Sequence, residues 1–373
     1  MSSLHASRVI VDGAAYRHNL DMVRQLAGPS AKIMAVIKAD AYGHGLVPMA
    51  RYAEQWGVGM LGVATVDEGA QLREAGLSLP VLVLVQPSRD ALPAVIEHRL
   101  TLAIADVATA ELLGELARKA GKVVPVHCKI DTGMGRQGFP QESAVQDIQF
   151  ITRISHIDIE GLLTHFPSAD LPEDPFTYNQ IRSFRQILRR LDKEGIPYEM
   201  AHAANSAGIV NYRSAIFDLV RAGIMTYGVW PSVSRDGHTL LKPVMQWEST
   251  VTQVRHLDPG ATVGYGRTYT TPGHMHSAIV PVGYADGYPH ALSNQAEVLI
   301  QGKRCPVRGS VCMDQIVVDI SALNNVRVGD PCVLLGRQDN ETIAAEELAQ
   351  RAGTIPYEIF TGIGARSARE YRN

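Results

Sequence analysis

Apolar runs of strand length recur along the first two-thirds of the chain, and several show no polar alternation. Strands that are buried on both faces of a parallel sheet have this pattern. Amphipathic segments of helical period separate the runs, for example 47–56, 67–75, 107–120 and 176–194. The predicted strands are 32–37, 60–64, 80–85, 101–105, 124–130, 157–164, 198–203 and 219–226.

Eight strand–helix units within ~220 residues predict an α/β fold, a closed (β/α)8 TIM-type barrel. An open doubly wound sheet is the alternative, but no GxGxxG motif opens a helix after any of the strands. A strand at 7–11 and a helix at 13–27 precede the barrel strands.

The pattern changes at the turn-rich stretch from Trp230 to His238. Short strands separated by turn residues follow it and predict a mainly β C-terminal domain with one helix at 342–352. We therefore predict a barrel domain at 1–235 and a β domain at 236–373, with the strand 7–11 able to pair with the β domain. The predicted C-terminal strands are 244–256, 261–265, 277–282, 296–300, 303–308, 315–320 and 331–335.

Composition changes this picture little. The chain of 373 residues is 46% hydrophobic and 20% charged, with 35 basic and 38 acidic side chains, as in an ordinary globular enzyme. The small net charge without charged blocks gives no indication of nucleic acid or membrane as a partner. Four cysteines without a CxxC pair, and an N-terminus without a signal-peptide pattern, predict reduced thiols and a cytoplasmic location. No cluster has metal-ligand spacing.

Candidate chemistry begins at Lys38, which ends the first barrel strand before the turn Ala-Asp-Ala-Tyr42-Gly-His44-Gly. Desolvation at a strand end favours the neutral amine, the form that attacks carbonyl groups. The alternative is a lysine that only extends to solvent where the strand emerges. Other polar residues lie at the carboxyl ends of later strands, where barrel enzymes build their sites. They are Arg136, His165, His202, Asn205, Ser206 and Arg221.

The stretch 32–45 resembles the cofactor-attachment motif of the alanine racemases, and the resemblance continues through most of the chain. It implies that Lys38 carries pyridoxal 5′-phosphate. It also implies that Arg136, in Asp131-Thr-Gly-Met-Gly-Arg136, contacts the cofactor's phenolic oxygen and the substrate carboxylate. Lys129 matches a lysine that can be carbamylated to orient this arginine. Structural alternatives are an exposed loop arginine at Arg136 and, at Arg221, a salt bridge to a nearby acid such as Asp218.

The same resemblance places Arg221 against the pyridine nitrogen and His165 beside the ring. It implies that His165, Asn205 and His202 orient Arg221. The implied phosphate-binding residues are Tyr42, Ser206, Gly223, Ile224 and Tyr357.

The β domain is implied to complete the site of the partner subunit in a homodimer. Tyr265, between two glycines, resembles the second catalytic base, although such a tyrosine is ordinarily a hairpin aromatic. Met313 would offer its backbone N–H to the substrate carboxylate, and Tyr284, Tyr357 and Ile355 would narrow the entrance. A tyrosine needs help to act as a base near neutral pH, from a cation or a hydrogen bond, and His165 is the expected helper.

The resemblance implies a racemase (an isomerase) that interconverts L- and D-alanine by a two-base mechanism, with Lys38 and the other subunit's Tyr265 as bases. D-alanine for cell-wall synthesis is its implied product. A racemase that also accepts serine remains an alternative. A related decarboxylase is disfavoured by Arg221, because decarboxylases of this type need an acid at the pyridine nitrogen. A non-catalytic single-barrel carrier of the cofactor would not need the β domain.

Overall fold

The structure is a computed structural model that describes residues 7–234 and 237–373. It divides into two compact units. The barrel unit comprises Arg17–Ala41 and Leu46–Leu241, and the β unit comprises 7–16, Tyr42–Gly45 and Lys242–Asn373. The predicted division between residues 235 and 236 lies outside the described residues.

The barrel unit contains a closed ring of eight parallel strands, which confirms the predicted fold class. Each strand pairs with the next along the chain, the fourth pairs with the fifth, and the last pairs with the first to complete the ring. In order after β1 (Arg8–Asp12) the strands are β2 (Lys32–Val36), β3 (Met60–Val63), β4 (Val81–Val83), β5 (Thr101–Ile104), β6 (Val124–Asp131), the short edge strand β7 (Phe139–Pro140), β8 (Ile157–Leu163), β9 (Met200–His202) and β10 (Leu219–Ala222).

Helices separate these strands, and side chains accept hydrogen bonds from their first turns. Thr65 caps Val66–Glu74 in a capping box with Glu68, and Asp106 and Asp174 cap later helices. The helices are Gly13–Ala27, Leu46–Gln55, Val66–Glu74, Leu92–Glu97, Val107–Ala120, Ala144–Ile151, Pro175–Lys193 and Ser206–Asn211.

Several barrel strands end earlier than predicted, and the ends of β10 and β2 bear on the site. The eighth strand ends at Ala222 instead of 226, because Gly223 leaves the extended conformation and Ile224–Tyr227 form a 3-10 turn. After Lys38, residues Ala39 to Tyr42 adopt positive φ angles of 52 to 54° and form a left-handed turn. Successive non-glycine residues rarely adopt this conformation. Glu68 stabilises the first residue of this turn, because the Glu68 carboxylate accepts a hydrogen bond from the Ala39 N–H at 2.6 Å.

The β unit contains a ten-stranded sheet of order β12-β15-β18-β17-β16-β19-β11-β1-β21, with β20 beside β19. The N-terminal strand β1 pairs antiparallel with β11 and parallel with β21. Helices Ala345–Ala352 and Pro356–Gly362 complete this unit. Its strands are β11 (Met245–Thr250), β12 (Gln253–Leu257), β13 (Thr262–Val263), β14 (Tyr269–Thr270), β15 (Met275–Val280), β16 (Glu297–Ile300), β17 (Lys303–Arg308), β18 (Ile316–Asp319), β19 (Pro331–Gln338), β20 (Glu341–Ile343) and β21 (Ala368–Arg372).

Two expectations for this unit were wrong in detail, and one strand was missed. The predicted strand 244–256 is two strands, because the chain leaves β11 after Thr250 and β12 pairs with a different neighbour. The predicted helix 342–352 begins only at Ala345, since Glu341–Ile343 form a hairpin with β19. The C-terminal strand β21 was not predicted. It pairs with β1, which lies at the opposite end of the sequence.

Within 7–234 and 237–373, none of the helices has both the length and the apolar character needed to cross a bilayer.

Candidate active site

Four basic side chains gather at the carboxyl ends of the barrel strands. Lys38 follows β2, Lys129 lies in β6, Arg136 follows β6 and Arg221 lies in β10. Burial lowers the pKa of the Lys38 amine, and the charges of Arg136 and Arg221 lower it further, against the opposing charge of Glu68. The neutral amine that nucleophilic chemistry requires is therefore favoured at Lys38.

The pKa of Lys129 is also lowered, by burial and by the neighbouring cations. Burial and the charges of Arg136, Arg221 and Lys38 lower its pKa to about 8, with Asp131 as the opposing charge. Its side chain is buried. Within the described part of the chain, the amines of Lys38 and Lys129 make no hydrogen bond. Cations brought together without matching acids form a site for anions.

Arg221 is buried and held by its backbone and ring acceptors. Its guanidinium donates to the carbonyls of Thr164 and Ala203, each at 2.8 Å, and of His202 at 3.2 Å. It also contacts Nδ1 of His165 and Nδ1 of His202, each at 3.0 Å. Burial lowers its pKa to about 9, so it remains a cation at neutral pH. The predicted salt-bridge alternative is wrong, because carbonyls and imidazoles are the partners of both terminal nitrogens of this guanidinium.

Because a guanidinium only donates, it determines which nitrogen of each ring carries the proton. Nδ1 of His165 and of His202 must accept, so each neutral ring has its N–H at Nε2. Burial and the charge of Arg221 lower the pKa of both rings well below the usual range, consistent with neutral imidazoles. His165 is therefore no cationic helper for a tyrosine base, and only its Nε2–H remains to donate a hydrogen bond.

A buried relay continues from His202. Its Nε2 donates to Nδ1 of His127 at 2.7 Å, and Nε2 of His127 donates to the carboxylate of Glu160 at 3.1 Å. Because Arg221 can only donate to His202, each hydrogen bond in this chain has its donor on the side of Arg221 and its acceptor on the side of Glu160. Glu160 and His127 were missed from the sequence, because Glu160 reads as an ordinary polar residue within β8 and His127 as one within β6.

The loop that carries Arg136 is organised by Asp131. Its carboxylate accepts hydrogen bonds from the N–H groups of four residues, Gly133 to Arg136, at 2.7 to 3.2 Å. Gly138 brings the chain back to β6, since a Cβ there would lie 2.5 Å from the Asp131 nitrogen. The exposed guanidinium of Arg136 has no acidic partner among residues 7–234 and 237–373. The loop therefore presents an uncompensated cation.

Polar groups suited to a phosphate lie at the ends of β9 and β10. The Ser206 hydroxyl accepts from the Gly223 N–H at 2.9 Å. Asn205 caps the helix Ser206–Asn211 through the Gly208 N–H at 2.9 Å. The Ile224 N–H has no acceptor within the described residues, and it remains free to donate.

The remaining predicted residues belong to the β unit. Tyr42 is buried with its ring 5.8 Å from that of Tyr357, and burial raises its pKa. Tyr265 lies in a turn between glycines of positive φ, and 77% of its side chain is exposed. Ser310 donates to the Tyr265 carbonyl at 2.9 Å, which joins that turn to the loop carrying Met313.

Known proteins match the chain over almost its whole length. Residues 11–231 match the model of the alanine racemase N-terminal domain, and residues 244–371 match that of the C-terminal domain. The chain belongs to the alanine racemase family. The alanine racemase of Halothermothrix orenii is 43% identical over 365 residues, covering 97% of this chain and 96% of that protein. That of Geobacter sulfurreducens is 42% identical over 369 residues, covering 97% and 96%.

Solved alanine racemases share the fold. The Clostridium difficile 630 structure superposes with a TM-score of 0.95 at 36% identity, covering 99% of this chain and 96% of that one. The structure of alanine racemase from Bartonella henselae, with covalently bound pyridoxal phosphate, has a TM-score of 0.88 at 30% identity, covering 98% and 99%. Membership of the alanine racemase family confirms the resemblance seen in the sequence, the isomerase class and the dependence on pyridoxal phosphate.

The residues present fit this cofactor. Lys38 supplies an amine of lowered pKa for its aldehyde. Ser206 and the Ile224 N–H offer donors to its phosphate. Arg221 has an Nε–H without a protein acceptor within the described residues, as a pyridine nitrogen would require. The donor-only character of Arg221 fits an unprotonated pyridine nitrogen.

Proposed function

We propose that this chain interconverts L- and D-alanine by a two-base mechanism, with Lys38 on one face of the substrate and Tyr265 of the partner subunit on the other. The observation that carries the proposal is the cluster of Lys38, Lys129, Arg136 and Arg221, in which both lysines have lowered pKa values. Such a cluster suits an anionic cofactor and an amino-acid carboxylate, and it keeps a lysine ready to act as a base.

Each residue has a defined task in this proposal. When bound, pyridoxal phosphate withdraws electrons from the substrate's α-carbon and makes its proton acidic. Lys38 holds the cofactor and then moves a proton at its Nζ. Arg136 binds the carboxylate, assisted by the Met313 N–H of the partner subunit, and Arg221 limits how far the cofactor withdraws electrons.

The binding residues extend the proposal. Ser206, Gly223, Ile224, Tyr42 and Tyr357 bind the phosphate. His165 lies beside the ring and, with His202, keeps Arg221 in position through contacts of 3.0 Å. Asn205 assists only indirectly, since its side chain bonds the Phe166 carbonyl and the Gly208 N–H.

The experiment that tests this function uses a panel of L-amino acids with the purified holoenzyme, followed by chiral chromatography. We expect D-alanine to form much faster than any other D-amino acid. Comparable formation of D-serine would favour the broader racemase. Carbon dioxide release without a D-product would favour a decarboxylase, which the arginine at the position of the pyridine partner argues against.

Shared active sites predict complementation between two inactive variants. Lys38→Ala and Tyr265→Phe chains, mixed under conditions of subunit exchange, form heterodimers with one intact site each. We expect about a quarter of the parent activity from an equal random mixture, because half the dimers are mixed and half of their sites are intact. Mass spectrometry of the mixed dimers verifies that subunits have exchanged, and the activity measured afterwards tests the expected value.

A matched control replaces the Tyr265→Phe chain by the double variant Lys38→Ala/Tyr265→Phe. No dimer in that mixture has an intact site, so no activity should return. If the first mixture also stays inactive although exchange is complete, Tyr265 serves its own chain and the shared-site arrangement is wrong. The exposure of Tyr265, Tyr284 and Met313 in the β unit supports a homodimer that covers this surface.

Lys129 should be carbamylated by dissolved carbon dioxide near neutral pH. With its pKa lowered to about 8, a sizeable fraction of the amine is neutral and adds to carbon dioxide with release of a proton. The resulting anion would be stabilised by Arg136 and Arg221. Native mass spectrometry should find one added carbon dioxide per chain, lost on degassing at low pH. Lys129→Ala should lose it and raise KM more than it lowers kcat, with partial rescue by chloride or another small anion.

Lys32→Ala is the control for this modification, because Lys32 is exposed at the other end of β2. The Lys32→Ala variant should retain the added mass of one carbon dioxide. If the parent chain never carries this mass, Lys129 is an unmodified lysine and the prediction is wrong.

We also propose the domain division at 235/236, a cytoplasmic location and a role in supplying D-alanine for cell-wall synthesis. The gap between the two family-model matches, 11–231 and 244–371, supports a division in this region. The cysteine pattern and family membership support the other two proposals.

A further inference from the structure

Three histidines and one aspartate occupy one exposed face at the edge of the β unit. His256 in β12 lies directly opposite His276 in β15. Asp258 follows His256 by two residues and His274 precedes His276 by two residues, each just beyond the end of its strand. Because the two strands are antiparallel, both residues lie at the same end of the pair. All four residues are exposed. None of them belongs to the active-site residues described above.

Three of these side chains bring ligand atoms to one point. Nε2 of His256 lies 3.3 Å from Nδ1 of His274. A carboxylate oxygen of Asp258 lies 3.5 Å from the same Nδ1 and 3.9 Å from Nε2 of His256. Zinc with bonds of about 2.1 Å in a tetrahedral arrangement separates its ligand atoms by roughly 3.4 Å. The three distances cluster around that value, so little movement is needed to bind one ion.

We propose that Nε2 of His256, Nδ1 of His274 and the Asp258 carboxylate bind one divalent transition-metal ion of the zinc class. Water would complete the tetrahedral coordination, since the exposed site leaves one position open. Two imidazoles with one carboxylate suit zinc, nickel and copper, whereas magnesium and calcium prefer more oxygen ligands. The ring of His276 packs edge-on against His256, with 4.9 Å between centroids, and it is not a ligand.

The proposed metal site lies where the segment between β12 and β15 leaves and rejoins the sheet, so a bound metal would join the two ends of that segment. Asp258 and His274 are the two ends of an excursion from the sheet that includes β13, β14 and the turn with Tyr265. Hydrogen bonds already join its base, from the Gly260 N–H to the Thr271 carbonyl at 2.9 Å and from the Thr271 hydroxyl to the Asp258 carbonyl at 2.6 Å. A metal bound to both ends would close the excursion and reduce its opening, as a cross-link of a loop does.

The binding test uses the full-length holoenzyme without a histidine tag, stripped of metal by chelator, and titration calorimetry with zinc chloride. We expect one zinc per chain. His256→Asn, His274→Asn and Asp258→Asn should each weaken zinc binding at least tenfold, whereas the neighbouring His276→Asn should change it less than about twofold. Magnesium should not bind.

Unchanged zinc affinity in the three ligand variants would overturn the site, and so would an equal loss in His276→Asn. The second measurement is hydrogen–deuterium exchange by mass spectrometry. Zinc should slow exchange in peptides covering 258–274 of the parent chain and leave them unchanged in His274→Asn. Binding without this local protection would overturn the proposed closure of the excursion.

Discussion

Replacing Lys38 by alanine should lower racemisation by roughly 10⁴-fold or more, because under the proposed mechanism the cofactor would lose its covalent attachment and one face of the substrate would lose its base. The amine of Lys38 has its pKa lowered by burial and by two arginines, and Lys38 lies just after the carboxyl end of β2. Initial rates from either enantiomer of alanine, with excess pyridoxal phosphate present, measure the loss.

Labelling provides an independent readout of the same residue. Borohydride reduction of the parent holoenzyme followed by peptide mapping should place the reduced cofactor on Lys38. Lys32→Ala is again the matched control and should keep both the label and the activity. A label on Lys32 or Lys129, or activity retained by Lys38→Ala, would show that the attachment residue is misassigned.

Replacing Arg221 by glutamate should slow racemisation by about 10²- to 10³-fold and increase the share of transamination. A carboxylate at this position would favour protonation of the pyridine nitrogen, so the cofactor would withdraw electrons more strongly. Pyruvate release per racemisation event is the measurement. Its rise is the result that distinguishes an electronic role from a merely structural one.

The matched variant is Arg221→Lys, which keeps a cation that only donates. It should slow the reaction, because the carbonyls of Thr164 and Ala203 lose part of their hydrogen bonding. Its ratio of pyruvate to D-alanine should nevertheless stay at the parent value. Thermal unfolding of both variants is measured first, so that folded protein is compared. An equal product ratio in the two variants would contradict the electronic role.

Local pattern alone was enough for the barrel. Apolar runs at 32–37 and 101–105 and the helix at 107–120 could be predicted within about one residue, because burial on both faces and helical period are properties of adjacent residues. The same reasoning singled out Lys38, Arg136 and Arg221 as candidates, since a charged residue at or near the end of a buried strand stands out in the sequence. Their roles stay predictions. The resemblance to alanine racemases then predicted the cofactor.

Tertiary structure decided the features that depend on residues distant in the chain. The strand β21 exists because it pairs with β1, and the left-handed turn after Lys38 is held at its first residue by Glu68, which is remote in sequence. The proton positions on His165 and His202 follow from the fixed donors of a buried Arg221, and the pKa of Lys129 falls because burial and three cations act on it together. The sequence by itself determined which chemical groups are present and on which elements they lie. Their protonation and partners were decided by the fold, because burial and Coulomb interactions act over distances in space and not along the chain.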